Sequence, residues 1–333
     1  MAAGAPAVRV EGLTKDFGGL RAVNEVSFRI DGGRIFGLLG PNGAGKSTTL
    51  AMLSTVLRPS AGGAWVNGFD IRTQPEQVRR SIGIVFQDQS LDEELTAYEN
   101  MDMHGSLYHV PRHARRSKIG ELMELVGLAD RAGDLVKTYS GGMRRRLEIA
   151  RGLLHEPRVL FLDEPTLGLD PQTRNHLWTY IAALNRDKQI TIIVTTHYME
   201  EADRLCHEVA IIDHGRIIAS DSPAALKRQI GGDVVTIETS DNDRMFARIR
   251  ALPAVKEAEI REGVISIKID QADRHIAELV TVCSDDGVSV SSLSVHKPTL
   301  EDVFLHFTGR TIREEEGSGK DRMRMAVRLW RRR

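Results

Sequence analysis

Lys46 and Ser47 close the run Gly40-Pro41-Asn42-Gly43-Ala44-Gly45, so the string satisfies G-x-x-x-x-G-K-[ST] at every fixed position. Glycines at this spacing let successive backbone N–H groups turn inward around phosphate oxygens. Lys46 adds a positive charge, and the Ser47 hydroxyl is a ligand of the kind Mg²⁺ takes. An apolar, strand-like run, Ile35 to Leu39, leads into the loop, and a helix-like run opens at Ser47. A glycine-rich turn that matched by accident would not need that context. Gly40, Asn42, Gly43, Gly45, Lys46, Ser47 and Thr48 are therefore the candidate ligands of a nucleoside triphosphate.

A second group of candidates follows other strand-like runs. Val159-Leu160-Phe161-Leu162 ends in Asp163-Glu164, and Pro165 then prevents further ladder pairing. Adjacent carboxylates at the end of a buried strand are costly without a cation or donors nearby. Asp163 is placed to hold Mg²⁺ through water, and Glu164 to polarise an attacking water. His197 follows Ile190 to Thr196, and Gln87 follows Ile82 to Phe86. A lone histidine after a strand is more often structural, but beside the other motifs His197 is a candidate contact for a terminal phosphate. Gln87 offers a neutral group to the metal or the reacting water. Ser140-Gly141-Gly142 precedes the helical pattern Met143 to Leu154 and forms a second glycine-containing helix N-terminus, able either to hold an anion or simply to cap the helix. Phe17, before Gly18-Gly19, could stack on a base or belong to a core.

Positioning these residues requires a particular scaffold. Val8 to Ile30 alternates over short stretches and predicts small antiparallel strands. Buried-strand runs at Ile35–Leu39, Ser81–Phe86, Val159–Leu162 and Ile190–Thr195, separated by helix-like segments, predict a mainly parallel sheet. In such sheets ligands bind beyond the carboxyl ends of the strands, where the phosphate loop, Gln87, Asp163-Glu164 and His197 all fall. Residues 96–155 read as a helical insertion, with patterns at Glu99–Tyr108, Arg112–Val126 and Gly141–Leu154. After Gly231-Gly232 the texture changes to strands at Val234–Glu238, Val255–Ile260, Val264–Ile269 and Val288–Val295, with helices at Asp243–Leu252 and Ala272–Cys283. That β-α-β-β-α-β order predicts a small ferredoxin-like α+β domain.

With 333 residues the chain has room for more than one core, and the expected division is 1–230, 233–308 and a linker with a basic tail over 309–333. Lys plus Arg number 45 against 46 Asp plus Glu, so no global field steers the chain toward nucleic acid, and no nucleic-acid partner is expected. The two cysteines, Cys206 and Cys283, lack metal-ligand spacing and argue against a disulfide framework, which makes reduced, cytosolic thiols the default expectation. No apolar stretch approaches the roughly 18 residues needed to span a bilayer. If the protein serves transport, another polypeptide forms the pore. In the tail, Met323, Ala326, Val327 and Trp330 fall at i, i+3, i+4 and i+7 among Arg322, Arg324, Arg328 and Arg331. That pattern suits an anionic membrane surface or a permease's cytoplasmic elements, although such tails are more often simply solvated.

Taken in order, the phosphate loop, Gln87, Tyr139-Ser140-Gly141-Gly142-Met143, Leu162-Asp163-Glu164-Pro165-Thr166, Gly168-Leu169-Asp170 and His197 resemble an ATP-binding cassette ATPase over about residues 8 to 230. The resemblance implies an ATP hydrolase with Mg²⁺, in which Asp163, Ser47 and Gln87 serve the metal and Glu164, Gln87 and His197 the reaction. It further implies that two copies pair head to tail, each ATP lying between one phosphate loop and the Ser140-Gly141-Gly142 and Asp170 segments of the other copy. Met143 stands where many cassettes have Gln, and Phe17 where Tyr is commoner. Phe86-Gln87-Asp88, Glu94-Leu95-Thr96, Tyr139 to Arg146 and His296 to Phe304 are similar to the daunorubicin/doxorubicin-resistance type of exporter ATPase. Such proteins work with a separate polytopic membrane permease, and the segment Leu91–Tyr108 is expected to help form the groove that receives it. On this reading the protein is peripheral on the cytoplasmic face of the cell membrane and drives export of drug-like or other hydrophobic compounds. An ATPase acting on nucleic acid or the ribosome, and the ATPase of an importer, are the alternatives.

Overall fold

The computed structural model describes residues 5–261 and 263–309. The expected linker and basic tail lie outside the described residues. The chain divides into two compact units between Ser222 and Pro223.

In the first unit, Ile35–Leu39 is buried at every position and lies inside a six-stranded sheet. On one side it pairs in parallel with Thr191–Thr196, beyond which lie Val159–Asp163 and Ile82–Val85. On the other it pairs in parallel with Glu208–Asp213, which carries the antiparallel edge strand Arg216–Asp221. Strands buried along nearly their whole length belong in a sheet covered on both faces.

Register explains why scattered motifs meet. Leu39 pairs with Thr196, Asp163 with Thr195, and Val85 with Leu162. The strands therefore stop at nearly the same level, and the residues just past their ends, Gly40, His197, Glu164 and Phe86-Gln87, lie along one edge of the sheet.

A four-stranded antiparallel sheet orders Leu20–Ile30, Val8–Phe17, Ala61–Val66 and Phe69–Asp70. Its buried residues Val8, Val10, Leu13, Val26, Ala64 and Val66 share a core with Phe36 and Leu38 of the parallel sheet and with Leu50 and Leu53 of the helix Lys46–Leu53. The helix that carries Lys46 is thus anchored by apolar packing behind the loop. The second half of this sheet is a finding beyond the sequence expectation, because Ala61-Gly62-Gly63 carries no alternation of apolar and polar residues.

The helical insertion forms its own core. Helices Ala97–Leu107, Arg112–Leu125 and Gly141–Leu153 bring together Met101, Ile119, Met123, Leu147, Ala150 and Leu154. Thr96 starts the first of these with a capping box, its side chain taking the Glu99 N–H while Glu99 reaches back to the Thr96 N–H.

The second unit runs strand Asp233–Thr239, helix Asn242–Arg250, strands Val255–Arg261 and Val264–Ile269, helix Ile276–Asp285 and strand Val290–His296. In this unit's sheet the spatial order is second, third, first, fourth strand, antiparallel throughout, which is a ferredoxin-like arrangement. Val235, Ile237, Ile265, Ile267 and Ile269 alternate onto one face and pack against Met245, Ile249, Leu279 and Cys283. Two further helices, Pro223–Ile230 and Leu300–Thr308, pack on each other, so the unit starts ahead of Gly231-Gly232. The expected helix Ala272–Cys283 is instead a 3₁₀ turn, Ala272–Arg274, and then a helix that starts at Ile276. Gln271 is left-handed at φ 53°, and Asp233 Oδ2 accepts the Ala272 N–H at 2.9 Å. The turn itself closes with i→i−3 bonds, the Arg274 N–H to the Gln271 carbonyl at 2.9 Å and the His275 N–H to the Ala272 carbonyl at 2.8 Å, in place of α-helical ones.

Candidate nucleotide site

Gly45 caps the Lys46–Leu53 helix in the left-handed region at φ 106°, and a Cβ there would stand 2.6 Å from the Ala22 carbonyl oxygen. Only glycine meets both demands. The helix's first N–H groups have no intrahelical acceptors, and no side chain caps them among the described residues. With Asn42, Gly43 and Ser47 exposed and Gly40 and Lys46 buried, the loop presents a rim of N–H groups and the positive end of a helix dipole. Thr48, one residue further, is half-buried.

Lys46 is 4% exposed. Its ammonium donates to the carbonyls of Gly40 at 2.8 Å and Pro41 at 3.0 Å and lies 3.3 Å from Glu164 Oε1. Burial pulls Lys46 below the ordinary lysine value, while Glu164 and Asp163 oppose the shift. The other Glu164 oxygen stands 3.2 Å from His197 Nδ1, an electrostatic approach rather than an aligned hydrogen bond. Burial pushes the Glu164 carboxyl up, but His197 and Lys46 more than reverse this and hold it below the usual carboxylate range. Glu164 is also left-handed, at φ 45°. A non-glycine residue there stores strain, and such strain gathers at functional sites.

Ser47 Oγ donates to Asp163 Oδ1 at 3.1 Å. The Thr195 hydroxyl donates to the same oxygen and accepts the Glu164 N–H at 3.1 Å. A hydroxyl and a carboxylate this close are two hard oxygen donors, the donor set Mg²⁺ takes. Lys46, Ser47, Asp163, Glu164 and His197 are thus brought together.

Gln87 is exposed just past its strand, and among the described residues no hydrogen bond joins it to Ser47 or Asp163. The Phe17 ring is 45% exposed with the Lys15 ammonium 4.9 Å over its face. Ser140 caps Gly141–Leu153 by accepting the Met143 N–H at 3.3 Å, and Gly141 beside it is exposed. Gly142 is buried, and a Cβ there would stand 2.3 Å from Thr173 Cγ2. Asp170, exposed, caps the helix Pro171–Lys188 by accepting the same residue's N–H at 3.0 Å. The Thr173 hydroxyl and backbone bonds hold the Asp170 carboxyl below its usual value. The Ser140-Gly141-Gly142 and Asp170 segments therefore meet at Thr173, apart from the Lys46 group.

Three side chains were not singled out by sequence. Thr195 reads as one more residue of a buried strand. Glu201, wholly buried, accepts from the Thr166 hydroxyl at 2.9 Å and from Trp178 Nε1 at 3.0 Å, and burial pushes its carboxyl up. It ties the chain after Glu164 to the helix after His197, and its place four residues past His197 is the only local signal. Arg145 is the third, hidden between Arg144 and Arg146, and it holds the backbone on both sides of Glu164.

Two family models match the chain. One, described as "ABC transporter", covers residues 23–167, and one, described as "ATP-binding protein DrrA1-3-like, C-terminal domain", covers residues 222–308. The chain is 42% identical over 310 residues to the daunorubicin/doxorubicin resistance ATP-binding protein DrrA of Streptomyces peucetius, covering 91% of this chain and 92% of that one. It is 38% identical to the linearmycin resistance ATP-binding protein LnrL of Bacillus subtilis, over 92% of this chain and all of the relative (100%). It is 39% identical to the Nod factor export ATP-binding protein I of Ralstonia nicotianae, over 93% and 96% of the two chains. Among solved structures, cbiO1 from Clostridium perfringens, part of an ABC transporter complex, superposes with a TM-score of 0.63 at 29% identity, over 68% of this chain and 93% of that one. A dimeric ATP-binding cassette in a post-hydrolysis state with ADP and Pi superposes at 0.59 and 26% identity, over 65% and 98%.

Proposed function

The chain belongs to the ABC transporter ATP-binding proteins, and from that premise we propose that it is the ATP-hydrolysing subunit of an exporter that drives a separate polytopic membrane permease. The observation that carries the mechanism is the connected group of Lys46, Ser47, Asp163, Glu164 and His197 at one sheet edge.

ATP phosphates lie along the loop's N–H groups with Lys46 against them. In the structure the ammonium leans on one carboxylate 3.3 Å away, and a polyphosphate is the stronger anion. Nucleotide entry therefore draws Lys46 from Glu164 and frees that carboxylate. Glu164 is ionised at neutral pH, as a base must be, and takes the proton of the attacking water. His197 steadies the freed carboxylate and contacts the terminal phosphate. Ser47 and Asp163, with Gln87 once it swings in, are the residues that would hold Mg²⁺. When bound, the ion neutralises charge on the phosphate oxygens.

Ser140 and Gly141 present an exposed helix N-terminus, suited to the ATP of a second copy placed head to tail, with Asp170 beside it. Phe17 stacks on the base. The segment Leu91–Tyr108 exposes Tyr98, Met103 and Leu107, at 36%, 47% and 69%, an apolar surface that suits a permease. Among the described residues no helix is long and apolar enough to cross a membrane. As the partner of a separate permease, the subunit works as a peripheral protein on the cytoplasmic face. The relatives named for daunorubicin, doxorubicin and linearmycin resistance and for Nod factor export favour an exporter of drug-like or other hydrophobic compounds.

Affinity purification of the tagged protein from its own cells in mild detergent, with mass spectrometry and ATPase assay, tests this. A polytopic membrane protein in stoichiometric amount is expected. Recovery of an active ATPase on ribosomes or DNA instead would overturn the reading.

A further inference from the structure

Arg145 sits in the helix that begins at Ser140-Gly141-Gly142, yet its side chain reaches the reaction centre of the same chain. Nε donates to the Pro165 carbonyl at 3.0 Å and Nη2 to the Asp163 carbonyl at 2.7 Å. Those two carbonyls flank Glu164, the residue held at φ 45°. Nη1 donates to the Phe86 carbonyl at 2.6 Å, one residue before Gln87, and to Glu148 Oε2 at 2.9 Å. The side chains of Arg145 and Glu148 are 8% and 1% exposed. Glu148 spends its other oxygen on the Ser90 N–H at 2.9 Å, and Arg151 donates to the Ser90 carbonyl at 2.7 Å. One planar guanidinium thus bonds two segments outside its own helix, 163–165 and Phe86, and a carboxylate one helical turn away holds both the guanidinium and the segment after Gln87.

We propose that Arg145, with Glu148 as its counter-charge, is a positioning residue for ATP hydrolysis that locks Glu164 and Gln87 to the Ser140 helix. A guanidinium offers five donors in a fixed fork, so a shift of the helix carries the carbonyls on both sides of Glu164 and the carbonyl before Gln87 with it. The helix's exposed N-terminus faces outward, where a second copy's nucleotide would bear on it. Occupancy there is passed to this chain's own Glu164 and Gln87 through Arg145. Lysine keeps the charge but has a single nitrogen, which cannot reach all four acceptors.

This inference rests on Glu164 acting on the water, so the test carries Glu164→Gln alongside. Full-length protein is compared as wild type, Arg145→Lys, the double variant Arg145→Gln/Glu148→Gln and Glu164→Gln. The double variant removes both members of the Arg145–Glu148 pair and keeps an acceptor for the Ser90 N–H. Binding of mant-ATP, steady-state phosphate release and thermal melting are read on each. The expected result is a fall in kcat of about tenfold or more in both Arg145 variants, with mant-ATP Kd and KM within about threefold of wild type and melting retained. Unchanged kcat per folded molecule in either Arg145 variant overturns the proposal, as does a loss of mant-ATP binding in step with kcat, or failure of both variants to fold, which would mark a purely structural clamp. Near-wild-type turnover by Glu164→Gln sinks the role of Glu164 itself. Lost turnover there with full turnover in Arg145→Lys sinks the positioning role alone.

Discussion

The two units differ in how much charge they bury. In the nucleotide unit Lys46, Arg145, Glu148, Asp163, Glu164 and Glu201 are all buried, and hydrogen bonds or ion pairs tie each to another segment. In the second unit, among the described residues, ion pairs keep at least one partner well exposed: Lys268 with Glu257 at 15% and 58%, Lys256 with Asp270 at 49% and 64%, Lys297 with Asp233 at 88% and 12%. Its interior is a layer of Val, Ile, Met and Leu side chains. Removing an ion from water costs several kcal/mol and a buried pair seldom returns more than it loses, so apolar packing is the easier way to hold a fold. The nucleotide unit carries that cost where it also keeps a strained glutamate, which separates a unit shaped by chemistry from one shaped by packing.

Damage should therefore differ in kind between the units. Lys46→Ala removes the ammonium that would face the phosphates, and fluorescent-nucleotide titration should show ATP Kd raised about 100-fold, close to 3 kcal/mol. Deleting residues 223–309 should not reproduce that loss, and if it does, the comparison breaks. Ile267→Ala opens the second unit's core and should cost about 2–5 kcal/mol in urea unfolding, leaving turnover per folded molecule unchanged.

Acid should act mainly on the nucleotide unit. Burial lowers His104 from 6.5 to about 4 and lowers His155 in the same cluster. Above pH 6.5 both folded and unfolded His104 are neutral. Below it the unfolded chain binds the proton first, so stability falls as pH drops toward 4, by at most about 3 kcal/mol from His104. Denaturant unfolding across that range should show the slope, and His104→Leu should make it shallower. The smallest effect belongs to the second unit. Thr299→Ala removes the cap shared with Asp302 and should lower its stability by about 1 kcal/mol on the same assay.

The site was legible where chemistry is written as a local string at a strand end. Gly40 to Ser47, Asp163-Glu164 and His197 each come directly after an apolar run, and parallel pairing then aligns the runs without further instruction. Thr195, Glu201 and Arg145 were not legible, because their roles depend on partners far along the chain. Arg145 differs from Arg144 and Arg146 only in facing inward beside Gly142, which packs on Thr173. In the fold, alternation revealed the ferredoxin-like order. It failed at Ala61-Gly62-Gly63, and the helical pattern overran at Ala272, where the backbone closes 3₁₀ bonds instead.

The account turns on Glu164, and the most direct test is single-turnover hydrolysis of ATP by Glu164→Gln with nucleotide binding measured on the same sample. The amide keeps the shape but cannot accept the water's proton. The account predicts ATP Kd within about threefold of wild type and hydrolysis slowed by about 100-fold or more. Hydrolysis near the wild-type rate by a variant that binds ATP normally would contradict it.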